Sequence, residues 1–274
     1  MATRTIRFGI RAKLIGMVIC IASALSLLIG LSIYAIVQDE LLAQLKSKLL
    51  STVTIGADAL DAQALERLVS AMEGEDDQTL LAALEGSGDY AVLSEQLNKI
   101  RDTDPVVIRY VYTFAPTGAP DVTRFVVDAD VLAALKKQAA GEDIGEVELS
   151  HLGSVLDVSG YEVAKEVLAR LEPAVEDSYV YDELEKINSI SGYAPVFGSD
   201  GRLLALLGVD MADTDARNAL AKVTRYALAI TAAALALSAI VALLMGKLFT
   251  RDIHALKDTV ERFALQDFEA RASI

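Results

Sequence analysis

The chain has one cysteine, no tryptophan, two histidines and five prolines among its 274 residues. With Cys20 alone no intrachain disulfide can form, so a folded domain must rest on its own apolar core. One cysteine and two histidines also fall short of a Cys/His zinc cluster. Glycine loops that cradle phosphates are missing, both the dinucleotide and the P-loop type. Gly86-Ser87-Gly88 and Ser159-Gly160 lack the spacing of a nucleophile elbow. The acidic run Glu75-Asp76-Asp77 lacks the glycine and spaced oxygen ligands of a calcium loop and reads as a solvated turn. No catalysis, cofactor or metal is expected.

Two uncharged apolar runs stand out instead. Leu14 to Gln38 lies between Lys13 and Asp39, and Tyr226 to Gly246 between Arg225 and Lys247. Each exceeds the roughly 20 residues that a helix needs to cross the hydrocarbon of a bilayer. Arg4, Arg7, Arg11 and Lys13 precede the first run, and Asp39 and Glu40 follow it. Basic flanks stay cytoplasmic, so both termini are expected inside and the central block outside. The first run is too long for a cleaved signal peptide and no clear A-x-A site follows it. Overall hydrophobicity of 53% and mean hydropathy of +0.38 fit two spans. A net charge of -14 makes nucleic acid a poor partner. The expected layout is a cytoplasmic N-terminus (1–13), a span (14–38), an outer domain (39–225), a second span (226–246) and a cytoplasmic helix (247–274).

Along the outer block, Leu42, Leu45, Leu49 and Thr52 recur at spacings of three and four and predict that the first helix continues past the span. Further helices are expected over Asp58–Met72 and Tyr90–Arg101, the latter stopping at Asp104-Pro105. Val107–Phe114 and Val122–Asp128 have strand composition, separated by a turn with Gly118 and Pro120. Short helices are expected at Leu132–Gln138 and Tyr161–Leu171. Ser191–Phe197 and Arg202–Met211 form a hairpin across Gly198-Ser199-Asp200-Gly201, and helix resumes from Asp213. Helices, then antiparallel strands with a helical insertion, then an exit helix make an α+β fold.

Alternation along the strands puts Tyr110, Tyr112 and Phe114 on one face and Arg109, Val111 and Thr113 on the other. It likewise groups Arg124 with Val126 and Asp128, and Tyr193 with Ser191 and Pro195. Tyr110-Val111-Tyr112-Thr113, Phe125-Val126-Val127-Asp128-Ala129-Asp130, Ser191-Gly192-Tyr193-Ala194-Pro195-Val196 and Leu207-Gly208-Val209-Asp210 together resemble extracytoplasmic Cache (PAS-like) sensor domains, over roughly Asp39 to Asp213. The resemblance implies a curved antiparallel sheet with a long N-terminal helix on one face and a small-molecule pocket on the other. It implies ligand contacts at Arg109, Tyr110, Tyr112, Asp128, Asp130, Tyr193 and Asp210. Arg109 suits a carboxylate through two parallel hydrogen bonds, and Asp128, Asp130 or Asp210 suits an amine. Amino acids, amines and organic acids are the ligand classes implied. Plainer roles exist for each: Tyr110 and Tyr112 as sheet packing, Arg109 in a surface ion pair, Asp128 and Asp130 as helix caps, Asp210 as a strand-end group.

After the second span, Ile253, Leu256, Val260 and Phe263 fall at spacings of three, four and three, the seam of a coiled coil. The segment resembles the first helix of a HAMP signal-relay module, departing from it at Asp252 and Gln266, where the family has proline and glycine. His254 is not set in a kinase phosphorylation box. The resemblances imply a two-pass receptor of a bacterial inner or plasma membrane. Its outer domain would bind a small solute and relay the event through the second span to an output domain beyond this chain. A homodimer is expected, because the Leu42–Leu49 stripe and the HAMP-like seam lack an obvious partner in the chain. The alternatives are a ligand-free dimerisation platform and a solute-capturing accessory of a transporter.

Overall fold

The structure, a computed structural model, describes residues 10–119, 121–143, 149–182, 187–212 and 214–264. Expectations for Arg4 and Arg7, Pro120, Asp213 and Gln266 lie outside these residues. The chain divides into two units, residues 1–39 with 219–274, and Glu40–Asn218.

The first unit is helical, built from the opening of α1 (Ile10–Ala59) and most of α7 (Thr214–Ala264). Ile15–Ala59 and Ala221–Leu244 are long and apolar enough to cross a membrane, with mean hydropathies of 2.3 and 2.5. Their apolar side chains, such as Leu28, Ile36, Leu228 and Leu237, are exposed rather than packed into a core. Hydroxyls within α1 turn back on their own helix: Ser23 donates to the carbonyl of Ile19 at 2.7 Å and Ser32 to that of Leu28 at 2.9 Å. These two hydroxyls are thereby satisfied within their own helix. Where Gly30 removes a side chain, the two helices come together, Thr231 Oγ1 lying 3.9 Å from the position of a Cβ.

The second unit is a seven-stranded antiparallel sheet among the described residues, flanked by helices on both faces. The rest of α1 is followed by α2 (Ala62–Met72), α3 (Gln78–Glu85) and α4 (Gly88–Asp102). Each of these three helices starts on a side chain that accepts a backbone N–H, from Asp61, Asp77 and Ser87 respectively. Next come β1 (Ile108–Pro116), β2 (Val122–Asp128), α5 (Val131–Ala139), β3 (Val155–Asp157) and α6 (Glu162–Arg170). The chain then forms β4 (Ala174–Val175), β5 (Val180–Asp182), β6 (Ile187–Phe197) and β7 (Leu203–Ala212) before α7. The strand order is β3-β2-β1-β7-β6-β4, with β5 pairing β6 as well. The α+β class, the long N-terminal helix, the hairpin and the bounds of β2 agree with the sequence reading. The helix α3 and the strands β3, β4 and β5 were not foreseen.

One face of the sheet packs on α1, α2 and α4. Leu49, Val53, Leu65, Leu68, Leu93 and Leu97 from the helices meet Val111, Ala194, Leu207, Val209 and Met211 from the strands, all buried. This corrects the dimer argument from the Leu42–Leu49 stripe, since Leu49 is fully buried and Leu42 and Leu45 pack on the same core. Two glycines set how closely α1 lies: a Cβ at Gly192 would stand 2.8 Å from Leu49 Cγ, and one at Gly56 2.9 Å from Leu207 Cδ2. On the opposite face, Val158, Ala164 and Val167 cover Phe114, Tyr193 and Leu206. Lys48 pairs with Asp104, and Lys46 with Asp177 at 2.6 Å, tying α1 to loops at the surface.

A bulge interrupts the β1–β2 ladder between Thr113 and Phe114. Thr113 lies opposite Val127, but Phe114 lies opposite Phe125, so Val126 is the extra residue. The Thr113 hydroxyl stitches the gap, taking the Val127 N–H at 3.1 Å and donating to its carbonyl at 3.3 Å. Simple alternation over Arg124, Val126 and Asp128 therefore fails, and Phe125 is the residue that joins Phe114. Because the Gly192 contact has no slack, Gly192→Ala should cost about 1–3 kcal/mol, and Leu49→Ala about 2–5 kcal/mol. Denaturant unfolding reads both, and an unchanged midpoint for Gly192→Ala would mean that α1 is not seated on β6.

Candidate functional site

Three cross-strand rungs on the face away from α1 carry the chemistry. On the first, Asp210 of β7 is flanked by Tyr110 of β1 and Ser191 of β6. On the second, Gly208 lies between Tyr112 and Tyr193, and on the third Leu206 lies between Phe114 and Pro195. The strip thus runs from a carboxylate, past two phenols, to an apolar end under α6.

Gly208 makes the middle rung possible. A Cβ there would sit 2.5 Å from Cε2 and 2.7 Å from Cζ of Tyr112, so the ring lies over the bare backbone of the central strand. Phe125 holds that ring edge-on at 5.7 Å, and Phe114 packs against it at 6.0 Å. Phe114 in turn meets Tyr193 edge-on at 6.0 Å. The ring cannot swing away from a new methyl group without breaking these contacts.

So placed, the Tyr112 hydroxyl donates to Asp210 Oδ1 at 3.3 Å. It also shares a hydrogen bond with the Tyr193 hydroxyl, which bonds the Ser191 side chain too. Burial first, and then the nearby Asp210 carboxylate, pushes both phenols well above their ordinary range, so they stay protonated donors. A second carboxylate reaches the same place. Glu176, just past β4, accepts the Ser191 N–H at 2.9 Å on Oε2, while its own N–H donates to the Ser191 carbonyl at 3.0 Å. Burial raises the Glu176 carboxyl, and the Ser191 N–H opposes that rise. Asp210 and Glu176 both act on the Tyr193 hydroxyl.

The structure brings together Tyr110, Tyr112, Tyr193 and Asp210 of the expected residues. Arg109 is exposed, with its guanidinium carbon 5.5 Å from the centre of the Tyr110 ring. Asp128 is the cross-strand partner of Tyr112 on β2, but its carboxylate is engaged at the β2–α5 corner, where Asp130 also lies. Asp128 accepts the Asp130 N–H at 2.8 Å, and Asp130 pairs with Arg101 rather than capping α5 with its side chain. Ser191, Gly208 and Glu176 were missed as site residues. Ser191 and Gly208 were within quoted motifs, but Glu176 follows a two-residue strand that has no pattern to read.

No family model matches the chain, and no curated protein matches it. Among solved structures, the ligand-binding domain of the Campylobacter jejuni chemoreceptor Tlp3 in complex with L-valine is similar over 78% of this chain and 69% of that chain, with 15% identity and a TM-score of 0.40. The sensory domain of the same receptor with isoleucine bound covers 78% and 69%, with 14% identity and a TM-score of 0.38. A methyl-accepting chemotaxis protein X is similar over 71% and 68%, with 14% identity and a TM-score of 0.33. The overlap is partial, and no ligand passes from those proteins to this chain.

Gly208→Ala should displace Tyr112 from Asp210 and cost about 1–3 kcal/mol. With no tryptophan in the chain, near-ultraviolet circular dichroism reads the tyrosines directly. An unaltered tyrosine spectrum in Gly208→Ala would mean that the ring does not lie on β7.

Proposed function

We propose that the chain is a membrane-anchored sensor whose outer domain, residues 39–225, binds a small solute through an ammonium group. The convergence of Tyr112, Tyr193, Ser191, Glu176 and Asp210 on one strip of the sheet carries this reading. Two carboxylates and three hydroxyls suit a protonated amine of the amine or amino-acid class better than an organic acid. The amine falls to Asp210, not to Asp128 or Asp130. Arg109, exposed and stacked on Tyr110, is the group placed to meet a carboxylate on the same ligand.

In this reading α1 and α7 each cross the bilayer, over residues 14–38 and 226–246, with both termini cytoplasmic. Homodimerisation uses the outward side of α1, where Ala43 and Leu50 are exposed one heptad apart. Residues 247–274 act as a HAMP-like relay helix toward an output domain. Of its seam, Val260 is exposed. The packing of Phe114, Tyr193 and Leu206 under α6 supports a second reading, in which the strip is simply core and the domain is a ligand-free dimerisation platform.

A thermal-shift panel of amines, amino acids, organic acids and sugars on the full chain in detergent separates the two. A ligand at about a hundred times its dissociation constant adds about 2.7 kcal/mol, a rise of roughly 5 to 11 °C. Amines or amino acids should give that shift and Asp210→Asn should abolish it. A flat panel on a cooperatively melting protein would favour the platform. In a receptor carrying its output domain, Val260→Asp should abolish ligand-dependent output while leaving binding intact, and undiminished output would remove the relay.

A further inference from the structure

Away from the tyrosine strip, one apolar feature of the second unit stands uncovered. Val180 and Tyr181 of β5 are 53% and 56% exposed. Among the described residues of this unit they are the one pair of large apolar side chains, adjacent in the chain, that is open to solvent. Neighbours along a strand point to opposite faces, so neither face of β5 is covered there. β5 is also an edge strand: it pairs β6 on one side, while β7 takes the other side of β6. An open edge that carries apolar side chains invites association.

Register and direction put this edge at the end of the sheet where the chain leaves for α7. Val180 pairs with Ser189 of β6, and Ser189 pairs with Ala212, the last residue of β7. Thr214 then opens α7, which carries the second apolar run. β5 and β7 are both antiparallel to β6. From Val180 to Asp182 the chain therefore heads the same way as β7 does toward α7.

α1 gives an independent measure. Asp177, three residues before Val180, pairs with Lys46 of α1 at 2.6 Å. Lys46 follows Gln38, where the first apolar run stops, by eight residues of continuous helix, a rise of about 12 Å. α1 passes along the sheet in the sense of β6, with Leu49 against Gly192 and then Gly56 against Leu207, the partner of Ala194. β5 runs the opposite way to β6, so it returns along α1 toward Gln38. The four residues from Asp177 to Tyr181 cover about 13 Å when extended, which offsets the rise.

We propose that Val180 and Tyr181 lie in the headgroup layer of the membrane that α1 and α7 cross, which makes β5 a third point of contact with lipid. This contact presupposes the two-span reading above. Headgroups extend roughly 5–7 Å beyond the hydrocarbon on each side. A tyrosine suits that layer, its ring on the apolar side and its hydroxyl toward water. Headgroups and their water also satisfy the backbone groups of an open edge. Ser191 follows Ser189 by two residues on β6, so the edge braced on lipid is the one that holds the Ser191 and Glu176 side of the strip.

Because the chain has no tryptophan, one substitution supplies a single fluorescent reporter. In the full chain in nanodiscs of phosphatidylcholine and phosphatidylglycerol, Tyr181→Trp should lose emission to lipid that bears a nitroxide on its headgroup. Phe197→Trp, at the far end of β6, should not. Leu28→Trp, within the first apolar run, should be quenched by lipid labelled deep in its chain. Should Tyr181→Trp fail to fold, a nitroxide on Val180→Cys in a Cys20→Ser chain takes its place, Cys20 being the one cysteine. A nickel chelate tethered to lipid should then relax that label more than the same chelate free in water, and the reverse order overturns the contact. Quenching of Leu28→Trp without quenching of Tyr181→Trp overturns the contact and leaves the spans standing. Quenching at neither position overturns both. Blue-shifted Tyr181→Trp emission without lipid quenching would seat a second copy on β5, which also overturns the lipid contact.

Discussion

The second unit is organised by the need to bury a carboxylate on a strand that has no free edge. β7 is paired along both sides, by β1 and by β6, and its residues from Leu204 to Met211 are buried. Leu207, Val209 and Met211 meet that condition on the helix face with aliphatic side chains. Asp210 cannot. A carboxylate out of water needs donors, and the Tyr112 hydroxyl is one, delivered from the neighbouring strand. The donor needs space for its ring, and the space exists because residue 208 has no side chain. Carboxylate, phenol and glycine are one device, and the aromatic packing of Phe114, Phe125 and Tyr193 holds it in shape.

The same constraint explains what could be read from the sequence. Strands long enough to alternate, and a hairpin closed by Gly198-Ser199-Asp200-Gly201, declare themselves through periodicity and turn chemistry. So the α+β class, β1, β2, β6 and β7 were legible, as was the sharing of a strand face by Tyr110 with Tyr112 and by Tyr193 with Ser191, but not the joining of these groups with Asp210 on one strip. Strands of two or three residues have no period, which hid β3, β4 and β5, and Glu176 with them. The bulge at Val126 was hidden for another reason: the consecutive apolar residues Phe125, Val126 and Val127 fit either register, and only the partner strand shows which is used. The stripe at Leu42, Leu45 and Leu49 shows the limit of periodicity. A regular apolar seam says that a face is covered, and here the cover is the chain's own sheet.

Asp128 and Asp130 show how residue type can mislead about role. Short acidic residues after a strand suit an amine, a helix cap or an internal ion pair equally well. Their neighbours decide: Arg101 takes Asp130, and Ser150 with the Asp130 N–H takes Asp128. Burial without full compensation then leaves Asp128 raised to about 6, a state that only the assembled corner produces.

On the sensor reading, the Tyr112 hydroxyl already occupies the position that a ligand ammonium would seek at Asp210. Binding is then an exchange of one donor for another, so much of the gross attraction cancels. What does not cancel is geometry. An ammonium takes the carboxylate only if the Tyr112 hydroxyl yields it, and the ring can shift only within limits drawn by Gly208, Phe114 and Phe125. On that reading the exchange would take the site from the packed arrangement seen here to a second one, and a ligand that prefers the second would move the equilibrium. Asp210 lies on the strand that leads directly into α7, which begins at Thr214. A change of partner at Asp210 therefore acts on the part of the chain with the shortest path to the second apolar helix, and a site on β2 or β3 would have no comparable lever.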